Sequence, residues 1–185
     1  MIGAILTQNT SWRNVSTAID RIRTANLLHP KKMHANQRRI PALIKTSGFY
    51  RTKSRYVQAF LDYYVSKYDG NIKRMRAKRT QVLRKELLAI PGIGPETADA
   101  ILLYALKRRT FVVDKYTRRI LSRHNIIGFD QRYEVIQRTI EQNLPASVKI
   151  FNEYHALLVM TGKKYCRKHE PLCSDCPLGT MLPRG

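Results

Sequence analysis

Acidic residues, cysteine, tryptophan and long apolar runs are all in short supply in this 185-residue chain. No run approaches the roughly 18 consecutive apolar residues that a transmembrane helix needs, and no signal-peptide pattern stands at the start, so an intracellular protein is expected. Cysteine occurs only three times, as Cys166, Cys173 and Cys176. Three clustered thiols in an intracellular chain point to metal or cluster ligation before disulfides. Apolar–polar alternation is almost missing, which argues against a β fold. Only Thr110–Val113 is β-branched enough to suggest a strand, and it is too short to build a sheet. The 13 Asp and Glu cannot balance 34 Lys and Arg, and the net charge of +21 is far beyond what solubility requires. A polyanionic partner is the natural reading; a generally basic proteome and a charged membrane surface are the alternatives.

What the chain does have is helical periodicity. With 43% hydrophobic residues it can bury a core and form one domain or two small ones. Met1–Leu6 reads as the interior of an apolar helix with no capping residue ahead of it, which raises the expectation of a further segment upstream. Val15–Leu28 predicts an amphipathic helix ending before His29-Pro30, and Lys31–Arg39 is a basic, aperiodic surface stretch. Arg55–Tyr68 places Val57, Phe60, Leu61 and Tyr64 on one face, and Gln81–Ile90 predicts the helix that follows. Beyond Asp114, helices are expected over Lys115–His124, Gln131–Asn143 and Lys149–Thr161. Helices in succession with short loops give an all-α fold.

The rest of the chain is organised around Leu87–Arg119. Pro91-Gly92-Ile93-Gly94 forbids helix, because the glycines invite conformations that other residues avoid and Pro91 pushes Ile90 out of the α region. Pro95 suits the first turn of a new helix, Glu96 and Asp99 suit its positive end, and Ala98, Ile101, Leu102 and Ala105 recur at helical spacing. Two helices therefore meet at a tight hairpin. Amides around Ile93 and Gly94 would point out of a helix N-terminus, a site able to hold a phosphate without a charged side chain.

These residues also carry a resemblance. Ile90–Ala98 followed by Val112-Val113-Asp114 resembles the helix-hairpin-helix, Gly/Pro-rich loop and Asp signature of the endonuclease III, or HhH-GPD, superfamily of DNA glycosylases. Leu6–Thr10, Ser47–Tyr50 with Lys53, and Cys166-x6-Cys173-x2-Cys176 occur in the family's order, so the likeness spans nearly the whole chain. The TQNTxW form at Thr7–Trp12 is most similar to the 3-methyladenine glycosylase branch. The resemblance implies a two-lobed all-α fold, residues 1–108 forming a lobe that ends in the hairpin and residues 109–185 a second lobe with the cysteine loop. It also implies a monomer bound to double-stranded DNA in the cytoplasm, at the nucleoid. Family members usually have an N-terminal segment that packs on the C-terminal domain.

Site residues follow from the same matches. Gln8 would fill the hole left by an extruded nucleotide. Trp12, otherwise a core or interface residue, would stack on the flipped base, where a cationic alkylated purine gains about 1–2 kcal/mol of cation–π energy when desolvated. Phe49 would wedge between bases; the alternative is that Phe49 caps the core while Tyr50 faces solvent. Gly92, Ile93, Gly94 and Thr97 would hold a DNA phosphate. Asp114 would place negative charge near C1′ and direct a water, a role compatible with capping the helix that starts at Lys115. Bifunctional members carry a lysine where this chain has Glu96, and a glutamate forms no Schiff base, so no strand-cutting lyase is expected. Ala4 stands where the adenine-mismatch branch has a catalytic Glu.

Cys166, Cys173 and Cys176 match three of the four ligands of the family's [4Fe–4S] cluster, and Leu182 stands at the fourth. A cluster with an absent or outside fourth ligand, zinc held by Cys166, His169, Cys173 and Cys176, and no metal at all remain the three readings. The function implied is a monofunctional N-glycosylase that excises alkylated, 3-methyladenine-type bases in base-excision repair. An endonuclease III-like pyrimidine or mismatch glycosylase, or a non-catalytic helix-hairpin-helix DNA-binding module, are the alternatives.

Overall fold

The computed structural model describes residues 1–183, and every regular element among them is helical. None of these helices is long and apolar enough to cross a membrane. The chain divides into two units, Met1–Leu106 and a second beginning at Lys107.

The first unit contains α1 (Ile2–Leu6), α2 (Trp12–Thr24), α3 (Pro30–Ala35), α4 (Ile40–Leu43), α5 (Tyr50–Tyr68), α6 (Ile72–Arg76), α7 (Thr80–Leu88) and α8 (Pro95–Ala100), which runs on into a π-helical turn over Ile101–Ala105. Ser11 caps α2 by accepting from the Asn14 amide, so the helix starts ahead of the expected Val15. It stops at Thr24, short of Leu28, where Asn26 turns left-handed. Its buried residues Val15, Ala18 and Ile22 share one face. At the centre of the unit, α5 buries Val57, Phe60, Leu61 and Tyr64 as its periodicity predicts. It begins at Tyr50 rather than Arg55, because polar Lys53 and Ser54 also turn inward and hide the apolar stripe in its first turn.

Between α7 and α8 the chain reverses over Ile90–Gly94. Gly92 adopts φ +82°, and a Cβ there would collide with the Tyr56 ring, so both backbone conformation and packing demand glycine. The Asp99 carboxylate does not face the start of α8: fully buried, it accepts from Arg84 Nε at 2.8 Å and a terminal guanidinium nitrogen at 3.1 Å, tying α7 to α8. Two-point Arg–carboxylate bonding fixes orientation as well as distance.

The second unit contains α9 (Lys115–Arg123), α10 (Tyr133–Asn143) and α11 (Val148–Lys164). Thr110–Val113 forms no strand. Instead, α10 offers Tyr133, Gln137 and Glu141 at one-turn spacing: Tyr133 Oη accepts from Val113 N (3.3 Å), Gln137 Nε2 donates to Phe111 O (2.6 Å) and Glu141 Oε1 accepts from Phe111 N (2.7 Å). A helix face thus satisfies backbone groups that a neighbouring strand would satisfy in a sheet. Gly162 of α11 lets the Tyr116 ring of α9 approach, and Arg119 donates to the carbonyls of Gly162 (2.9 Å) and Cys166 (2.8 Å).

The two hairpin glycines should behave oppositely. Gly92→Ala is expected to cost about 3 kcal/mol in denaturant unfolding, from left-handed strain plus the Tyr56 collision. Gly94 has φ −87° and no atom within 4 Å of a built Cβ. Gly94→Ala should therefore shift stability by less than about 0.5 kcal/mol; equal losses would contradict this description of the turn.

Candidate functional site

In the first unit, two segments named by the sequence, the one after α1 and the hairpin, are linked to each other by hydrogen bonds. The Gln8 carboxamide follows α1 and donates through Nε2 to Gly92 O (2.9 Å) and Thr97 Oγ1 (3.0 Å). Gln8 is thus joined to the hairpin, and Thr97, itself buried, uses its hydroxyl there. The Ile93 amide is already bonded to Ile90 O at 3.1 Å, while its side chain lies in the core. Gly94, at the N-cap of α8, is exposed with open space where a side chain would begin. Glu96 is exposed in the first turn of the same helix.

Trp12 opens α2 with its ring edge against Gly3 and 59% of its surface exposed. Phe49 is 73% exposed and Tyr50 packs against the core, the converse of the core-capping alternative. Two consecutive left-handed residues, Gly48 (φ +68°) and Phe49 (φ +46°), push the ring outward. A non-glycine residue in that region is strained, and such strain collects at functional turns.

In the second unit Asp114 is the N-cap of α9, and its Oδ1 accepts from the Thr117 amide at 2.7 Å. Its other oxygen lies 3.8 Å from His155 Nε2, and both side chains are about 11% exposed. Burial drives the His155 pKa below its ordinary value, and the Asp114 charge offsets only part of that effect. Burial thus favours the neutral imidazole. Sequence reading missed His155, although it sits in the apolar stripe Phe151, His155, Leu158, Gly162 of α11, an unusual place for a titratable group. It named Lys53 with the Ser47–Tyr50 match but gave it no role; the residue occupies the inward face of α5 one turn before Val57.

The three cysteines line one small cavity together with Leu182. Cys166 is buried, with an Arg123 nitrogen 3.3 Å from its sulfur; Cys173 and His169 are exposed. Among the described residues no group of three or more His, Cys, Asp or Glu is placed to hold a metal ion. Three thiols and a leucine fall short of a four-thiolate ligand set.

Residues 2–146 match the HhH-GPD superfamily base excision DNA repair protein family. A protein of Methanocaldococcus jannaschii that bears the name DNA repair glycosylase is 45% identical over 181 residues, covering 96% of this chain and 81% of that one. Endonuclease III of Sulfolobus acidocaldarius is 30% identical over 178 residues, covering 95% and 77%. Among solved structures, H. pylori 3-methyladenine DNA glycosylase bound to 1,N6-ethenoadenine superposes with a TM-score of 0.78 at 24% identity, covering 88% of this chain and 83% of that one, a likeness of fold.

Because His155 holds its proton more weakly folded than unfolded, it contributes a penalty that grows as pH falls below the unfolded value of about 6.5 and vanishes above it. NMR titration should place the His155 midpoint below 6.5, and His155→Asn should remove that part of the acid sensitivity. A midpoint above 6.5 would mean that the Asp114 charge outweighs burial.

Proposed function

Because the chain belongs to the HhH-GPD superfamily of base excision DNA repair proteins, we propose that it is a monofunctional DNA N-glycosylase that extrudes an alkylated, 3-methyladenine-type purine from duplex DNA and hydrolyses its bond to the sugar. The observation that carries this reading is Asp114, a carboxylate pinned through one oxygen as a helix cap while the other lies 3.8 Å from the mostly buried His155 imidazole. Loss of the base builds positive charge at C1′, and a fixed carboxylate opposes that charge without having to reorganise. Water oxygen bonds to C1′, the C1′–N bond breaks with its electron pair leaving on the base, and Asp114 takes the proton released by the water. A purine already made cationic by alkylation leaves as a neutral base, so Ala4 in place of an acid costs little.

The first unit serves binding and extrusion. Amides of Gly94 and Thr97 hold a backbone phosphate at the start of α8, and the open surface over Gly94 admits it. Phe49 wedges into the stack, Gln8 takes the vacated space, and Trp12 offers an indole face to the flipped cation. Glu96 cannot form the imine that β-elimination needs, so the product is an abasic site in an uncut strand. The cysteine loop supports the second unit, and Lys163, Lys164, Arg167 and Lys168 lie ready for phosphates. The protein works as a monomer in the cytoplasm. The 30% identity to an endonuclease III favours a second reading, excision of oxidised or mismatched pyrimidines.

Incubation with methylated duplex DNA and with a thymine-glycol duplex separates these readings. Release of free 3-methyladenine, with strand breaks only after alkali, is expected. Release from thymine glycol alone would favour the second reading, breaks without alkali would contradict the monofunctional assignment, and binding without any release would leave a non-catalytic DNA-binding module.

A further inference from the structure

Lys53 is 2% exposed, and among the described residues no carboxylate pairs with it. Its ammonium donates to Leu6 O at 2.9 Å and Ser47 O at 2.5 Å, and burial lowers its pKa. Each carbonyl ends a helical segment, Leu6 closing α1 and Ser47 closing the short turn of Lys45–Ser47. Each also stands two residues ahead of a side chain that the base-flipping reading sends into the duplex, Gln8 in one case and Phe49 in the other. A cation suits the negative end of a helical segment, and here one cation serves two.

For stability alone an apolar side chain is the cheaper occupant of such a place, since a buried charge loses its hydration. What an apolar side chain cannot do is hold two carbonyls from separate loops at a fixed separation. In the structure the Gln8 carboxamide itself bonds the hairpin, at Gly92 O and Thr97 Oγ1, bonds it exchanges on entering a duplex, so the backbone of its turn is held at Leu6 by Lys53. The Phe49 turn, left-handed at two residues in succession, is tied through Ser47 to Lys53.

We propose that Lys53 is a positioning residue for base extrusion: its ammonium clamps the Gln8 and Phe49 turns together so that both side chains enter the duplex as one rigid pair. This rests on the base-flipping reading above. Lys53 touches no DNA itself; its ligand is, in effect, the pair of turns that recognise a duplex with a vacated base position.

The test compares affinity for a labelled duplex carrying one stable tetrahydrofuran abasic site with affinity for the same duplex intact. Wild type should prefer the abasic duplex by about tenfold or more, the effect of a single charged hydrogen bond or better. Lys53→Met should keep its affinity for intact duplex within about twofold, since phosphate contacts supply it, and lose the preference. Phe49→Ala should lose it likewise, and the double variant should lose no more than either single one, because the clamp acts through that ring. A merely structural lysine would lower both affinities in parallel.

Retention of the abasic preference in a folded Lys53→Met would overturn the proposal. Where Lys53→Met does not fold, Lys53→Leu, which likewise removes every N–H donor, is read the same way; failure of both to fold would make the ammonium a stability element and overturn it too. A wild type without any abasic preference would sink the base-flipping reading, and the clamp with it.

Discussion

The hairpin depends on one close contact, a left-handed glycine pressed against an aromatic ring. With Gly92 at φ +82° under Tyr56, α7 and α8 can approach at the angle that brings Arg84 onto the buried Asp99. That turn also presents Gly92 O and Thr97 Oγ1 to Gln8, anchoring the segment after α1. Through Leu6 the same segment reaches Lys53, and through Lys53 the strained turn at Phe49. Short-range packing at one residue is thereby coupled to three loops far apart in sequence. The exposed aromatics Trp12 and Phe49 sit on a scaffold that is otherwise densely bonded.

The second unit solves a comparable problem differently. Asp114 follows an apolar segment that could have wandered, because no strand pairs with it. Its backbone is held by side chains at one-turn spacing along α10, and its carboxylate by the first turn of α9. Across from it, Phe111 and Phe151 pack edge to face at 5.7 Å, and the Phe111 ring also meets His155 edge to face at 6.0 Å. A carboxylate fixed in a mostly buried setting interacts more strongly with charge developing on a substrate than one free in water.

Much of the fold was legible because its signals are local: periodicity, caps, and the glycines and prolines of the hairpin. The all-α class and the hairpin both followed from such signals. What escaped were pairings between distant residues. Asp99 reads as a helix-start acid until Arg84 is placed beside it. Thr110–Val113 reads as a strand because β-branching says nothing of whether its partner is a sheet or a helix face. Lys53 and His155 break apolar stripes, a visible anomaly whose meaning depends on which carbonyls or carboxylates tertiary structure brings to them. The amide of Ile93 reads as open to a phosphate until the turn bond to Ile90 is seen. The cysteine motif shows its thiols and Leu182 by spacing alone, but not how they sit around their cavity.

Asp114 allows a clean separation of structure from chemistry. Asparagine caps helices as well as aspartate does, so Asp114→Asn preserves the bond from Thr117 and removes only the charge. The measurement to make is single-turnover base release by wild type and Asp114→Asn, alongside duplex affinity and melting temperature. Release should fall on the order of 10²–10⁴-fold, with binding and melting nearly unchanged. Undiminished release would contradict the role given to Asp114 and return it to a helix cap alone.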